Sequence, residues 1–279
     1  MMGGMSVLIS AAELAARLSS DQPPVVLDVR WKLGGPPGHD EYLKGHVPGA
    51  VFVDLDTELA TVTVPSEGRH PLPSLASLQE SARRWGVDDG SSVVVYDGEG
   101  NMSAARAWWL LRWGGHDDVL ILDGALPAWV AEGGELATDD VRPEPGNVTL
   151  AGGRLPTIGA DEIPGYVAGG GLLLDARAPE RYRGEAEPVD PKAGHIPGAT
   201  NAPTGSNLAA DGRFLSADEL RARFEALRPD DETPVAVYCG SGVTAAHEIA
   251  ALAIAGIDAT LYPGSFSEWS NRDLPVETA

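Results

Sequence analysis

The sequence predicts an α/β protein with two tandem domains, each a mainly parallel sheet flanked by helices on both faces. Short apolar runs alternate with segments of helical periodicity, and four sequence blocks of the first half recur in the same order in the second half. Strands that alternate with helices are typical of parallel sheets covered on both sides, and an internal repeat of this length indicates a duplicated domain. A chain of 279 residues is long enough for two medium-sized domains.

The repeat also predicts where the domains lie. The paired blocks are VVLDVR at 25–30 with LLLDAR at 172–177, GHVPGA at 45–50 with GHIPGA at 194–199, VVVYD at 93–97 with VAVYC at 235–239, and GALPAW at 124–129 with GSFSEW at 264–269. We therefore predict a first domain over residues 1–138 and a second over 157–279. Residues 139–156, which are rich in proline and glycine and lack clear periodicity, are the predicted linker.

Helix and strand signals follow one another along the chain. Ser10 is predicted to cap a first helix over 11–18, and Glu13 completes a capping box with it. The other predicted elements are strands over 25–29, 92–96, 119–122 and 235–238, and helices over 104–111 and 245–252.

Charge and cysteine content exclude several classes of function. The chain has 20 Lys and Arg against 41 Asp and Glu, a net charge of −21, which repels nucleic-acid phosphates and anionic membranes. Its single cysteine, Cys239, permits neither an intramolecular disulfide nor a multi-cysteine zinc site. No apolar stretch approaches the roughly 18 residues of a membrane span, and no cationic segment typical of a signal peptide is found. We expect a cytoplasmic protein without nucleic-acid or membrane partners, metal or cofactor.

Cys239 lies in the loop CGSGVT between a predicted strand and a predicted helix. In open α/β sheets, ligands bind at such strand-to-helix loops. The glycines allow successive amides to face an anion, and the helix N-terminus adds partial positive charge. These features predict a nucleophilic thiolate rather than an inert buried cysteine. The loop residues expected to surround it are Gly240, Ser241, Gly242, Val243 and Thr244.

Two other classes of cysteine enzyme find less support in the sequence. A cysteine phosphatase needs an arginine six residues after the cysteine to clamp phosphate, and Ala245 stands there. A cysteine protease needs a histidine base, but His46 and His195 both belong to the repeated GH(V/I)PGA block. Their repetition in both halves indicates a structural turn.

The repeated GH(V/I)PGA and D(V/A)R blocks, the GSFSEW segment and the CGSGVT loop together resemble the two-domain rhodanese-type sulfurtransferases, over nearly the whole chain. This resemblance implies two tandem rhodanese-like domains, the first catalytically silent, and Asp97 stands where the second has Cys239. It implies that Cys239 takes sulfane sulfur from a small anionic donor as a persulfide. Thioredoxin, another thiol or cyanide would then receive the sulfur.

The choice of donor depends on the charges near the loop. Thiosulfate enzymes of the family carry cationic loop residues, whereas CGSGVT is neutral and is similar to the loop of the 3-mercaptopyruvate sulfurtransferases. The resemblance gives Ser241 a role in orienting the donor or relaying its proton, and matches Arg181 to the family's first carboxylate-binding arginine. A second arginine is expected nine positions later, where this chain has Asp190. Lys192 is a candidate replacement, and Arg106 a candidate contact from the first domain.

These features favour 3-mercaptopyruvate as the donor and leave two alternatives open. Asp190 motivates the first alternative, a thiosulfate:cyanide sulfurtransferase. The second is a persulfide-carrier module that turns small donors over slowly. Because a duplicated chain builds its cleft within one polypeptide, we expect a monomer.

Overall fold

The computed structural model describes residues 6–62 and 64–279; the predicted first domain therefore begins with five residues that lie outside the described part. In chain order the strands and helices are β1 (Leu8–Ile9), α1 (Ala11–Leu18), β2 (Val25–Asp28), α2 (Gly38–Tyr42), β3 (Val51–Phe52), α3 (Leu55–Glu58), α4 (Leu75–Arg84), β4 (Val93–Tyr96), α5 (Ala104–Trp113), β5 (Val119–Leu122), α6 (Ala125–Ala131), α7 (Ile163–Ala168), β6 (Leu172–Asp175), α8 (Pro179–Tyr182), β7 (Thr200–Asn201), α9 (Ala217–Glu225), β8 (Val235–Tyr238), α10 (Val243–Ile254), β9 (Ala259–Leu261) and α11 (Ser265–Asn271). Short 3-10 helices cover Pro65–Glu67 and Thr204–Asn207.

Two parallel sheets confirm the predicted fold class. The first has the strand order β1-β5-β4-β2-β3 and the second the order β7-β6-β8-β9. Every pairing between these strands is parallel. The strands β4 and β8 lie inside their sheets and are buried along their whole length, as expected for sheets covered on both faces.

Local signals in the sequence placed several elements correctly. The Ser10 hydroxyl accepts a hydrogen bond from the Glu13 amide at 3.2 Å, and the Glu13 carboxylate accepts one from the Ser10 amide at 3.0 Å, which is the predicted capping box. The helix after Cys239 begins at Val243, earlier than the predicted Ala245, because Gly242 already adopts the left-handed conformation that ends the loop.

The two domains share one hydrophobic core. Helix α5 packs against α10, and both are buried over almost all of their length. Helix α5 carries Trp108 and Trp109 into this core. The core therefore fixes the position of the α10 N-terminus, and with it the Cys239 loop, relative to the first domain.

The segment between the sheets follows the first domain before it enters the second. The Val148 carbonyl accepts a hydrogen bond from Arg83 Nε at 2.9 Å, and Val148 and Leu150 are buried. Thr157 then forms a parallel bridge with Leu261 of β9. Within the described residues, no helix is both long and apolar enough to cross a membrane.

Candidate active site

The Cys239 loop is held by the first turn of α11. The Cys239 amide donates to Ser265 Oγ at 3.1 Å, and the Cys239 carbonyl accepts from the Phe266 amide at 3.0 Å. The Gly240 carbonyl accepts from the Ser267 amide at 2.8 Å. Cys239 is 1% exposed. These bonds hold the backbone of Cys239 and Gly240 in place, and with it the position of the Cys239 side chain.

Gly242 brings a backbone amide to the sulfur. It has a φ of +80°, and its amide donates to Cys239 Sγ at 3.2 Å. A Cβ at this position would lie 2.4 Å from the Pro263 carbonyl oxygen. Since Gly242 has no Cβ, the loop can pass close to Pro263 and still direct this N–H group at the sulfur. Among the described residues, this is the backbone amide that bonds Sγ directly.

Arg106 supports the loop from the protein interior. It is fully buried, and it donates to the carbonyls of Gly242 at 3.1 Å, His70 at 2.9 Å and Leu59 at 3.3 Å. Burial lowers the pKa of Arg106 to about 10, and the negative charge of Cys239 acts in the opposite direction. The guanidinium thus stays charged near neutral pH beside the sulfur. Arg106 therefore links the two domains through backbone carbonyls. From the sequence we had expected it to contact the substrate.

Ser241, the second predicted catalytic residue, is joined to two residues of the first domain. Its Oγ lies 2.7 Å from His70 Nδ1, and His70 Nε2 lies 3.2 Å from Asp56 Oδ1. Burial lowers the pKa of His70 from 6.5 to about 4, with Asp56 opposing the shift and Arg106 and Arg69 adding to it. The ring is therefore neutral at pH 7. A hydroxyl, a neutral imidazole and a carboxylate in series can relay a proton.

Sequence reasoning missed His70 and Asp56, and it also missed Arg69, which precedes the histidine. All three lie in the first domain outside the four repeated blocks. The 3-10 helix before Arg69 and His70 packs against α11, and the Arg69 amide donates to Ser267 Oγ at 3.0 Å, which brings this segment to the loop. Four of the six histidines, including His70, lie outside the repeated blocks, so the repeat offered no signal that singles out His70.

Arg181 and Lys192, the cationic residues predicted to bind the donor carboxylate, have different surroundings. Arg181 lies beside the Cys239 loop: its Nη1 would be 3.4 Å from a Cβ built on Gly240. Lys192 donates instead to the Leu274 carbonyl at 2.8 Å and pairs with Asp273 at 2.7 Å. Arg181 is therefore close to the Cys239 loop. Lys192 binds residues near the C-terminal end of the second domain instead.

In the first domain Asp97 occupies the position that Cys239 has in the second, directly after the central strand. Its oxygens accept four backbone hydrogen bonds, from the amides of Glu99, Asn101 and Ser103 at 2.9 Å and of Ala104 at 3.3 Å. Burial raises the pKa of Asp97 to about 6 although these bonds act to lower it. The strand-to-helix loop of the first domain therefore collects four amides around a carboxylate.

Comparison with known proteins agrees with the fold. Residues 10–132 and 160–272 each match the rhodanese-like domain family. The Mycobacterium tuberculosis protein named "Putative thiosulfate sulfurtransferase SseB" is 53% identical over 95% of this chain and 94% of its own length. The Pseudomonas aeruginosa protein named "Probable 3-mercaptopyruvate sulfurtransferase" is 47% identical over 97% of this chain and 98% of its own length.

A solved structure gives the same result. The crystal structure of the 3-mercaptopyruvate sulfotransferase SseA from Escherichia coli superposes with a TM-score of 0.82 and 32% identity, over 94% of this chain and 99% of that one. Fold and relatives together define a two-domain α/β enzyme of the sulfurtransferase class. The chain belongs to the rhodanese-like family, with two copies of the domain in one polypeptide.

Replacing Gly242 with alanine tests the close approach at the loop. Gly242→Ala should lower the free energy of unfolding by about 2 kcal/mol or more, because the left-handed conformation alone costs about 1–2 kcal/mol and the new Cβ meets the Pro263 carbonyl. Gly212→Ala is the matched control, since Gly212 has the same φ of +80° in open space. Urea denaturation measures both. Equal losses in the two variants would contradict this account of the loop.

The protonation of His70 gives a second prediction. We expect its ring resonances to titrate with a midpoint of about 4 in an NMR pH series, with the His70→Asn spectrum supplying the assignment. The unfolded chain takes up this proton near 6.5, so the contribution of His70 to stability should be lost as the pH falls from 6.5 toward 4. A midpoint near 6.5 would show that the ring is not desolvated between the domains.

Proposed function

We propose that this sulfurtransferase takes sulfur from 3-mercaptopyruvate, carries it as a persulfide on Cys239 and delivers it to a thiol or cyanide. The observation that carries the proposal is the hydrogen-bonded series Ser241–His70–Asp56, which begins two residues after the cysteine. A thiol donor brings a proton that must be moved during the reaction. This series provides a route for that proton.

In the first step the Cys239 thiolate attacks the donor sulfur. The S–S bond forms, the donor C–S bond breaks, and its electron pair goes to carbon as the enolate of pyruvate. The proton of the donor thiol ends on that carbon, which leaves pyruvate and the Cys239 persulfide anion. Ser241, hydrogen-bonded to neutral His70, is the group placed to pass this proton and to donate to the enolate oxygen.

In the second step an acceptor thiolate or cyanide attacks the outer sulfur, and Cys239 leaves as the thiolate. The Gly242 amide, 3.2 Å from Sγ, favours the negative charge on the sulfur before the first step and after the second. The charged Arg106 acts in the same sense through the loop. Both groups are fixed in place before the reaction starts.

Thiosulfate is the second candidate donor. The Mycobacterium tuberculosis relative carries that name, and the guanidinium groups of Arg181 and Arg69 beside Gly240 could receive a sulfonate. Sulfur transfer from thiosulfate moves no proton, because sulfite leaves with the electron pair of the broken S–S bond. The proton relay is therefore what favours mercaptopyruvate.

The acceptor and the assembly form part of the same proposal. Because His70 of the first domain and Ser241 of the second complete the site within one chain, a monomer is sufficient for activity. A small thiol or cyanide is the proposed acceptor, thioredoxin is a further candidate, and we place the reaction in the cytoplasm.

Steady-state kinetics with both donors and cyanide as acceptor test the proposal. We expect kcat/KM to favour mercaptopyruvate by more than about tenfold. Ser241→Ala should lower the mercaptopyruvate value by about 10²- to 10⁴-fold, the range typical of general acid–base groups, and leave the thiosulfate value within about threefold. Ser270→Ala, a buried serine of α11, serves as the control. A preference for thiosulfate, or an equal loss with both donors, would overturn the assignment of the donor.

A further inference from the structure

Trp31 contacts both residues that the first domain contributes to the hydrogen-bonded series at Ser241. Its Nε1 donates to Asp56 Oδ2 at 3.0 Å. Its ring stands edge-on to the His70 ring, with the ring centroids 5.2 Å apart and the planes at 87°. His70 Nε2 lies 3.2 Å from the other oxygen of the same carboxylate, Asp56 Oδ1. The indole, the carboxylate and the imidazole therefore all contact one another.

Asp56 is the exposed end of this series. Its side chain is 57% exposed, whereas that of His70 is 6% exposed. It borders a cavity of about 700 Å³ that Trp31 and His70 also line. The Asp56 backbone is fixed, because its amide donates to the side chain of Asp54 at 2.9 Å at the start of α3. Water competes for the oxygens of such a carboxylate, so the indole N–H on Oδ2 is what keeps Oδ1 directed at His70.

The position of the Asp56 carboxylate decides which nitrogen of His70 carries the proton. A neutral imidazole has one N–H group, and the bond made by one ring nitrogen sets the role of the other. With Asp56 at Nε2, the proton stays on Nε2, and Nδ1 accepts from the Ser241 hydroxyl 2.7 Å away. A ring that loses Asp56 can carry its proton on Nδ1 instead. It would then donate to Ser241 and could not take a proton from it.

The loop after Asp97 holds Trp31 in turn. The Trp31 carbonyl accepts from Ser103 Oγ at 3.0 Å, and the Ser103 amide donates to Asp97 Oδ2 at 2.9 Å. The indole also packs against the hydrophobic core of the protein. The loop of the first domain that lacks a cysteine is thus connected to Asp56 through Ser103 and Trp31.

The repeat shows that the common fold does not require this indole. Trp31 directly follows the VVLDVR block of the first domain. The residue that directly follows the matching LLLDAR block of the second domain is Ala178. An alanine side chain has no hydrogen-bond donor, so the second domain forms the same strand end without the contact that Trp31 makes.

We propose that Trp31 is a positioning residue of the proton relay, because its indole N–H holds the Asp56 carboxylate against His70 Nε2 and so leaves Nδ1 to accept from Ser241. This proposal rests on the proposed function, in which Ser241 and His70 move the proton of the donor thiol. Trp31 acts through Asp56 and needs no contact with the reacting atoms.

The ¹⁵N chemical shifts of the two His70 ring nitrogens test the proposal in the resting protein, without any donor. At pH 7 the wild-type ring should carry its proton on Nε2. Trp31→Phe keeps an aromatic ring and removes the indole N–H, and it should give a mixture of the two tautomers. Trp129→Phe is the matched control, because it loses one indole hydrogen bond, to the Glu135 carbonyl at 2.8 Å, in the same domain.

Two spectroscopic results would overturn the proposal. One is a proton on Nδ1 in the wild-type protein, a measurement that needs no variant. The other is a folded Trp31→Phe protein with the wild-type tautomer.

Steady-state kinetics test the consequence for the reaction. Trp31→Phe should lower kcat with mercaptopyruvate by about tenfold or more, as expected for the loss of a hydrogen bond to a charged group. It should leave KM for mercaptopyruvate, and kcat/KM for thiosulfate, within about threefold, because the indole acts on the proton transfer and not on binding. Trp129→Phe should change none of these values.

The kinetic outcomes also separate this proposal from the one on which it rests. An unchanged kcat in Trp31→Phe, or an equal loss with both donors, would overturn the role of Trp31. A wild-type enzyme that does not turn mercaptopyruvate over would overturn the proposed donor. The tautomer in Trp31→Phe would then decide alone whether Trp31 positions the His70 ring.

Discussion

The buried contact between α5 and α10 is the constraint on which the site depends. Arg106 of α5 donates to carbonyls in both domains, one of them at Gly242 in the Cys239 loop and another at His70. Such a guanidinium keeps its charge in the core only because several carbonyls replace its water. Arg106 therefore joins the Cys239 loop to the segment that carries His70.

The two copies of the domain differ in the residue that follows the central strand, which is Asp97 in the first and Cys239 in the second. In the first domain four amides surround the Asp97 carboxylate, so the anion of that loop is a permanent part of the protein. In the second domain Cys239 supplies a sulfur whose charge varies through the proposed cycle, and the Gly242 amide faces it. The first domain then contributes in another way, because its His70 and Arg69 complete the site of its partner domain.

The fold, and the position of Cys239 between a strand and a helix, could be predicted from the sequence because both depend on local patterns. Capping by Ser10, buried strands and the glycine-rich loop after Cys239 all act over a few residues. The pairing of Ser241 with His70 spans 171 positions and depends on how the domains pack, which no local pattern encodes. For the same reason Arg106 lies in the interior and not in a substrate cleft, and Lys192 faces Asp273 instead of the loop.

The most direct test of this account is the intact mass of the enzyme after brief exposure to 3-mercaptopyruvate without an acceptor. We expect a gain equal to one sulfur atom on a peptide containing Cys239, and loss of that gain when cyanide is added. Cys239→Ala should show no gain. An unchanged mass in the folded wild-type protein, or sulfur on any other residue, would contradict the persulfide on Cys239 and with it the role given to the two domains.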